Sequence, residues 1–133
     1  MAIQAMKDSV IRDQKLELKG VRGAITSTEN SFEAMEIAVS NLIEELLKRN
    51  QLTPDEIISI TFSVTGDLNV CFPASIVRRE KGWDEVALLD CQQMAVEGDL
   101  QRCIRILAYA WLPLGQPPMH PYLGQASVLR PDR

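Results

Sequence analysis

Arginines occupy the places in this sequence where a charged side chain needs a reason. Arg105 interrupts the apolar run from Ile104 to Ala108. A guanidinium buried there without a partner would cost several kcal/mol. It therefore pairs with an acid such as Asp90 or Glu97, or it faces a polar pocket and meets an anionic ligand with its planar fork of donors. Arg22 lies between Val21 and Gly23, at the end of an expected strand. Arg78 and Arg79 follow the Phe72-Pro73-Ala74 opening of a short helix, and Arg130 ends the last apolar stretch. For Arg49, Arg79, Arg102 and Arg133, simple solvation serves as well as any role. The chemistry such a set supports is the capture of a small anion.

Other chemistries find little support. The one histidine, His120, sits between Met119 and Pro121 with nothing beside it like a catalytic triad, and a metal cluster would need more. Cys71, Cys91 and Cys103 are an odd set without Cys-x-x-Cys pairing, which reads as free thiols in a reducing cytoplasm. No glycine-rich phosphate cradle is present. Nucleophilic and metal catalysis are unsupported, and no cofactor is expected. Lys plus Arg total 14 against 18 acids, a net charge of −4, which argues against a nucleic-acid partner. No run approaches the ~18 apolar residues of a membrane span, and the opening residues lack the apolar core of a signal peptide.

Elements must position these arginines. With 133 residues the chain suits one domain, expected over 15–133 after an extension at 1–14 that carries no convincing period. Leu16, Leu18 and Val21 suggest a strand. Phe32, Met35, Val39, Leu42 and Leu46 recur at helical spacing behind a Ser31 cap, a long helix ending near Asn50. Thr53-Pro54-Asp55-Glu56 reads as a capped helical turn. Ile58, Ile60, Phe62 and Val64 alternate with small polar residues as in a half-buried strand. Pro73 opens a short helix running to Lys81 and stopped by Gly82, and Val86–Leu89 has the continuity of a buried strand. Residues 100–112 fit two patterns. Leu100, Ile104, Leu107 and Trp111 make a helical stripe, whereas alternation places Ile104, Ile106, Ala108 and Ala110 on one strand face and Arg105 with Cys103, Leu107 and Tyr109 on the other. Four prolines from Pro113 to Pro121 then enforce a non-helical connection before a last short strand near Ala126–Leu129. This order predicts an α+β or mixed α/β domain.

The segments Val21-Arg22-Gly23-Ala24, Val70-Cys71-Phe72-Pro73-Ala74, Val77-Arg78-Arg79-Glu80, Gly82-Trp83, Cys103-Ile104-Arg105, and Tyr122 with Val128-Leu129-Arg130-Pro131-Asp132 resemble, as an ordered set, the monofunctional bacterial chorismate mutases of the trimeric pseudo-α/β-barrel kind. The resemblance covers nearly everything from residue 18 onward. It implies a five-stranded mixed sheet packed on the long helix, a strand at 100–112, and a homotrimer with active sites at subunit clefts. It also implies the [3,3] rearrangement of chorismate to prephenate, in aromatic amino-acid biosynthesis. Carried over, Arg105 lies near the ether oxygen of the breaking bond and contacts the enolpyruvyl carboxylate, which Arg22 and Tyr122 help to hold. Arg78 and Arg130 face the ring carboxylate. Phe72, Ala74, Leu88, Leu89 and Leu129 form apolar walls. A pericyclic rearrangement needs no nucleophile, metal or proton transfer, in keeping with the residues found.

Three positions depart from the family pattern. Gln93 stands where a glutamate usually accepts the substrate's ring hydroxyl, Asp90 where cysteine is common, and Ser75 where lysine is frequent. One expectation is that the carboxylate has moved, with Asp90 accepting the hydroxyl proton or pairing with Arg105 and Gln93 supporting it. The other is an Asp90 that is merely solvated. Two rival functions remain at this stage: a related imine-deaminating trimer, and a catalytically weak module that only binds a small carboxylate.

Overall fold

The computed structural model describes residues 15–129. The extension expected at 1–14, and Arg130, lie outside the described residues. Four strands form one mixed sheet: β1 (Leu16–Thr26), β2 (Ile57–Val64), β3 (Ala87–Gln92) and β4 (Cys103–Pro113), in the spatial order β1-β4-β2-β3. β4 is antiparallel to both its neighbours, and β2 pairs in parallel with β3. The long helix α1 (Phe32–Asn50) connects β1 to β2, and the short helix α2 (Pro73–Arg78) lies in the crossover from β2 to β3.

The strand reading of 100–112 holds, and its alternation decides the site. Ile104, Ile106, Ala108, Ala110 and Leu112 are buried under α1. Arg105, Leu107, Tyr109 and Trp111 point to the opposite face of the sheet. α1 meets the sheet with Met35, Val39, Leu42 and Leu46, all fully buried, against Val21, Ile60 and Phe62. The Ser31 hydroxyl accepts the Ala34 N–H at its start. Gln51 ends it in the left-handed conformation at φ 55°.

Several expectations are corrected. Arg22 stands inside β1, which continues to Thr26. A register shift between Ile57 and Ser59 puts Ile57 in the core and leaves Ile58 exposed, because a bulge reverses the parity of everything before it. α2 stops at Arg78, short of Lys81. β3 is an edge strand, with Leu89 60% exposed where a buried strand was expected.

The fifth strand expected near Ala126–Leu129 is a 3-10 helix, Gly124–Leu129. Residues just before it already occupy the free edge of β1: Ala24 N–H donates to the Pro121 carbonyl at 2.9 Å and Leu123 N–H to the Ala24 carbonyl at 2.8 Å. Gly124, at φ +59°, then turns the chain away, and Thr26 Oγ1 accepts the Gln125 N–H. The fold is therefore α+β with four strands.

Candidate active site

The face of the sheet turned away from α1 carries the arginines. Its strand register sets Ala24, Arg105, Ser63 and Cys91 in one row and Arg22, Leu107, Thr61 and Leu89 in the next. Arg105 on the inner strand β4 and Arg22 on the edge strand β1 thus stand on neighbouring rows of one surface. Both line a cavity of about 650 Å³, together with Thr61, Ser63, Gln93, Tyr122 and Leu129, a size suited to a small ligand.

Tyr122 reaches this cavity because the proline-rich segment is fastened along β1. Buried Asn50, the last residue of α1, donates to the Met119 carbonyl at 2.9 Å and accepts the Met119 N–H at 2.8 Å. His120 Nδ1 accepts the Arg22 backbone N–H at 2.9 Å, so the one histidine braces the strand that carries Arg22. Gly23 permits the close approach: a Cβ there would lie 2.7 Å from the Pro121 carbonyl oxygen. The Val21-Arg22-Gly23-Ala24 segment thereby carries a cavity-facing cation next to a position with no room for a side chain.

Arg105 is half-buried and paired with Asp99. Its Nη2 donates to Asp99 Oδ1 at 2.9 Å and its Nη1 to Oδ2 at 3.4 Å. Partial burial is the largest single influence and works against the guanidinium's charge, but the hydrogen bond to Asp99 and the attraction of the surrounding acidic groups together hold the pKa above its ordinary value. The Arg105 hydrogen bond, followed by the Leu100 N–H, holds the Asp99 carboxyl below its ordinary value. Of the five N–H donors on an arginine, the pair uses one on each terminal nitrogen, which leaves Nε–H and two others for a ligand. Arg22 has no ion-pair partner among the described residues. Neither of the acids expected to pair with Arg105, Asp90 or Glu97, does so.

Asp90 belongs to other surroundings. It lies opposite Phe62, on the α1 side of the sheet, whereas Arg105 points to the open side. Its carboxylate accepts the Ala74 N–H at 3.0 Å, capping an α2 whose N-cap residue, Phe72, has no polar side chain to do so. The expected Asp90–Arg105 pair is thus excluded within one chain, because the two side chains leave opposite faces. Gln93, in contrast, lines the cavity, where its Oε1 accepts the Ser63 hydroxyl at 2.5 Å.

The expected site residues fall into two groups. Arg22, Gln93, Arg105, Tyr122 and Leu129 surround one cavity. Phe72, Ala74, Ser75, Arg78, Leu88, Leu89 and Asp90 gather on β3 and α2, at the opposite edge of the sheet. There Phe72 is 67% exposed, while Ala74 is buried and Leu88 packs on the core. The two neighbouring arginines separate cleanly: Arg79 pairs with Glu36 at 2.6 Å and lies over the Phe32 ring. Arg78 is exposed and has no ion-pair partner among the described residues. Sequence reasoning missed Thr61, Ser63 and Asp99. The signal for Asp99 was the Glu97-Gly98-Asp99 turn just ahead of the strand, where the nearer carboxylate was overlooked.

The chain matches the family described as chorismate mutase type I over residues 18–133. It is 34% identical over 116 residues to chorismate mutase AroH of Bacillus subtilis (strain 168), covering 86% of this chain and 91% of that relative. To chorismate mutase AroH of Thermus thermophilus it is 38% identical over 117 residues, covering 86% and 95%. Among solved structures, a chorismate mutase from Clostridium thermocellum superposes with a TM-score of 0.75 at 34% identity, covering 83% of this chain and 98% of that one. Arg22, Arg105 and the cavity they share lie within the matched region, and the chain belongs to the type I chorismate mutases, the AroH class.

Proposed function

We propose that this chorismate mutase converts chorismate to prephenate by restraint and charge placement, with Arg105 as its catalytic group. Chorismate carries two carboxylates and an ether link between its ring and the enolpyruvyl side chain. In the rearrangement the ether C–O bond breaks as a new C–C bond forms, and no atom enters or leaves. The protein's task is to hold the compact reactive conformer and to set positive charge where the ether oxygen gains negative charge. Arg105 offers its remaining N–H donors to that oxygen and to the enolpyruvyl carboxylate, and Arg22 and Tyr122 hold the same carboxylate. Leu129 supplies an apolar wall. A preorganised donor at such a position contributes about 3–4 kcal/mol to catalysis. The observation that carries this reading is the pair of guanidinium groups, Arg22 and Arg105, on one open sheet face around a cavity of about 650 Å³.

The second group of residues completes the site from a neighbouring subunit. Phe72, Ala74, Ser75, Arg78, Leu88 and Asp90 sit beside α2 or on the α1 side of β3, away from the Arg105 cavity of the same chain, and Leu89 shares the face of that cavity but lies outside its lining. Arg78 is left to meet the ring carboxylate, together with Arg130. A homotrimer fits the open sheet face, where Leu18, Tyr109 and Trp111 are each at least 40% exposed and ask for cover. One domain over 15–133, a cytoplasmic setting for three free thiols, and a place in phenylalanine and tyrosine biosynthesis complete the proposal. No helix among the described residues is long and apolar enough to cross a membrane. Following the ultraviolet absorbance of chorismate with purified protein tests the activity. Loss of chorismate with formation of prephenate is expected; tight binding without turnover would overturn the catalytic reading.

A further inference from the structure

Asp99 has no part in the reading above, yet it is the only side chain that grips Arg105 among the described residues. It is itself firmly held. Its Oδ1 accepts the Leu100 N–H at 2.8 Å, and its own N–H donates to the Val96 carbonyl at 3.1 Å. The turn it stands on is pinned at the far end, where Arg102, at φ +49°, gives its backbone N–H to both oxygens of Asp67 at 2.9 and 3.1 Å. Asp67 in turn accepts the Thr65 hydroxyl, and Thr65 accepts the Cys103 N–H. This chain of bonds fixes a carboxylate at the terminal nitrogens of Arg105.

The location separates this carboxylate from the substrate. Arg105 lines the cavity shared with Arg22 and Tyr122, whereas Asp99 lines a second one beyond it, of about 360 Å³. Gln93 lines both, a neutral side chain at the junction. A guanidinium on a long stem gains little from its charge unless its plane is aimed, and an acid gripping two of its nitrogens sets that plane while leaving three donors exposed.

We propose that Asp99 is the positioning carboxylate of this active site, aiming Arg105 at the ether oxygen from behind while Gln93 leaves the substrate side without a negative charge. The inference rests on the reading of Arg105 as the catalytic cation. It assigns the site's acid to neither Asp90 nor Gln93.

Steady-state kinetics on four variants of the full chain test it, with melting temperature and assembly mass as controls. Asp99→Ala lowers kcat by about tenfold or more while KM changes less than about threefold, as loss of aim without loss of binding requires. Asp99→Asn, nearly the same shape, lowers kcat with only a small fall in melting temperature, so the proposal stands even if the alanine variant folds poorly. Asp99→Ala combined with Gln93→Glu recovers much of the lost kcat, because a carboxylate at the junction can take over the grip. Arg105→Lys is the reference. Wild-type kcat in both single Asp99 variants, with Arg105→Lys impaired, overturns the role of Asp99 and leaves that of Arg105 standing. An equally active Arg105→Lys removes the reading beneath it. A kcat loss that tracks melting temperature and is not restored by Gln93→Glu makes Asp99 a structural residue and also overturns the proposal.

Discussion

Arg105 could be read from the sequence as a charge in need of a partner, because a guanidinium inside an apolar run has few stable environments. Which acid would answer it was not readable. Asp90 and Glu97 are close in sequence, but strand parity sends Asp90 to the far face of the sheet, and Asp99 takes the place. The ionisation of that pair gives a prediction with a definite sign. The Asp99 carboxyl ionises below its unfolded value of about 4, so its contribution to stability is present above that pH and is lost as pH falls through the depressed folded value. Wild-type protein therefore loses stability in acid more steeply than Asp99→Asn, and the two curves run parallel, with wild type the more stable, between about pH 6 and 9, where neither Arg105 nor Asp99 titrates. Urea unfolding at a series of pH values checks this; parallel curves down to pH 3 would contradict it.

Elements were legible where a period was long and unopposed. α1 follows directly from its stripe and its Ser31 cap. β4 carried both a helical and a strand pattern, and only the strand satisfies a core that needs Ile104, Ile106 and Ala108 on one side. What failed were features set by neighbours. The bulge at Ile57 depends on pairing with β4. The absent fifth strand depends on the β1 edge being taken by Pro121 and Leu123. That strapped edge also yields a prediction. Gly23→Ala places a Cβ against the Pro121 carbonyl and must push the strap outward, costing about 1–3 kcal/mol of stability as overpacking does. Since Tyr122 follows Pro121, the same substitution raises KM for chorismate more than it lowers kcat. A variant with unchanged melting temperature and unchanged KM would show that the strap does not seat Tyr122.

At the scale of the whole molecule, the sequence named nearly all the candidate residues but could not say that one chain divides them between the Arg105 cavity and the β3–α2 edge. That division follows from the strand order β1-β4-β2-β3, which no local pattern encodes. It turns the trimer into a quantitative expectation. Light scattering gives a mass of about three chains of 14.9 kDa, near 45 kDa. On the proposed assembly each site draws Arg105 from one subunit and Arg78 from the next, so Arg105→Ala and Arg78→Ala proteins, each impaired alone, complement one another. After joint unfolding and reassembly in equal amounts, about a quarter of the sites carry both arginines, as random closure of a three-fold ring requires. Mixed assemblies no more active than their parents would mean that the two groups do not share a site.

The most direct test of the account concerns the planar fork on β4. In the intact assembly, Arg105→Lys retains the positive charge and most of the length but loses the fixed array of donors. With the loss of chorismate followed at saturating substrate, kcat is predicted to fall by about a hundredfold or more. A lysine variant turning over within about threefold of wild type would contradict the claim that an oriented guanidinium at this position carries the catalysis.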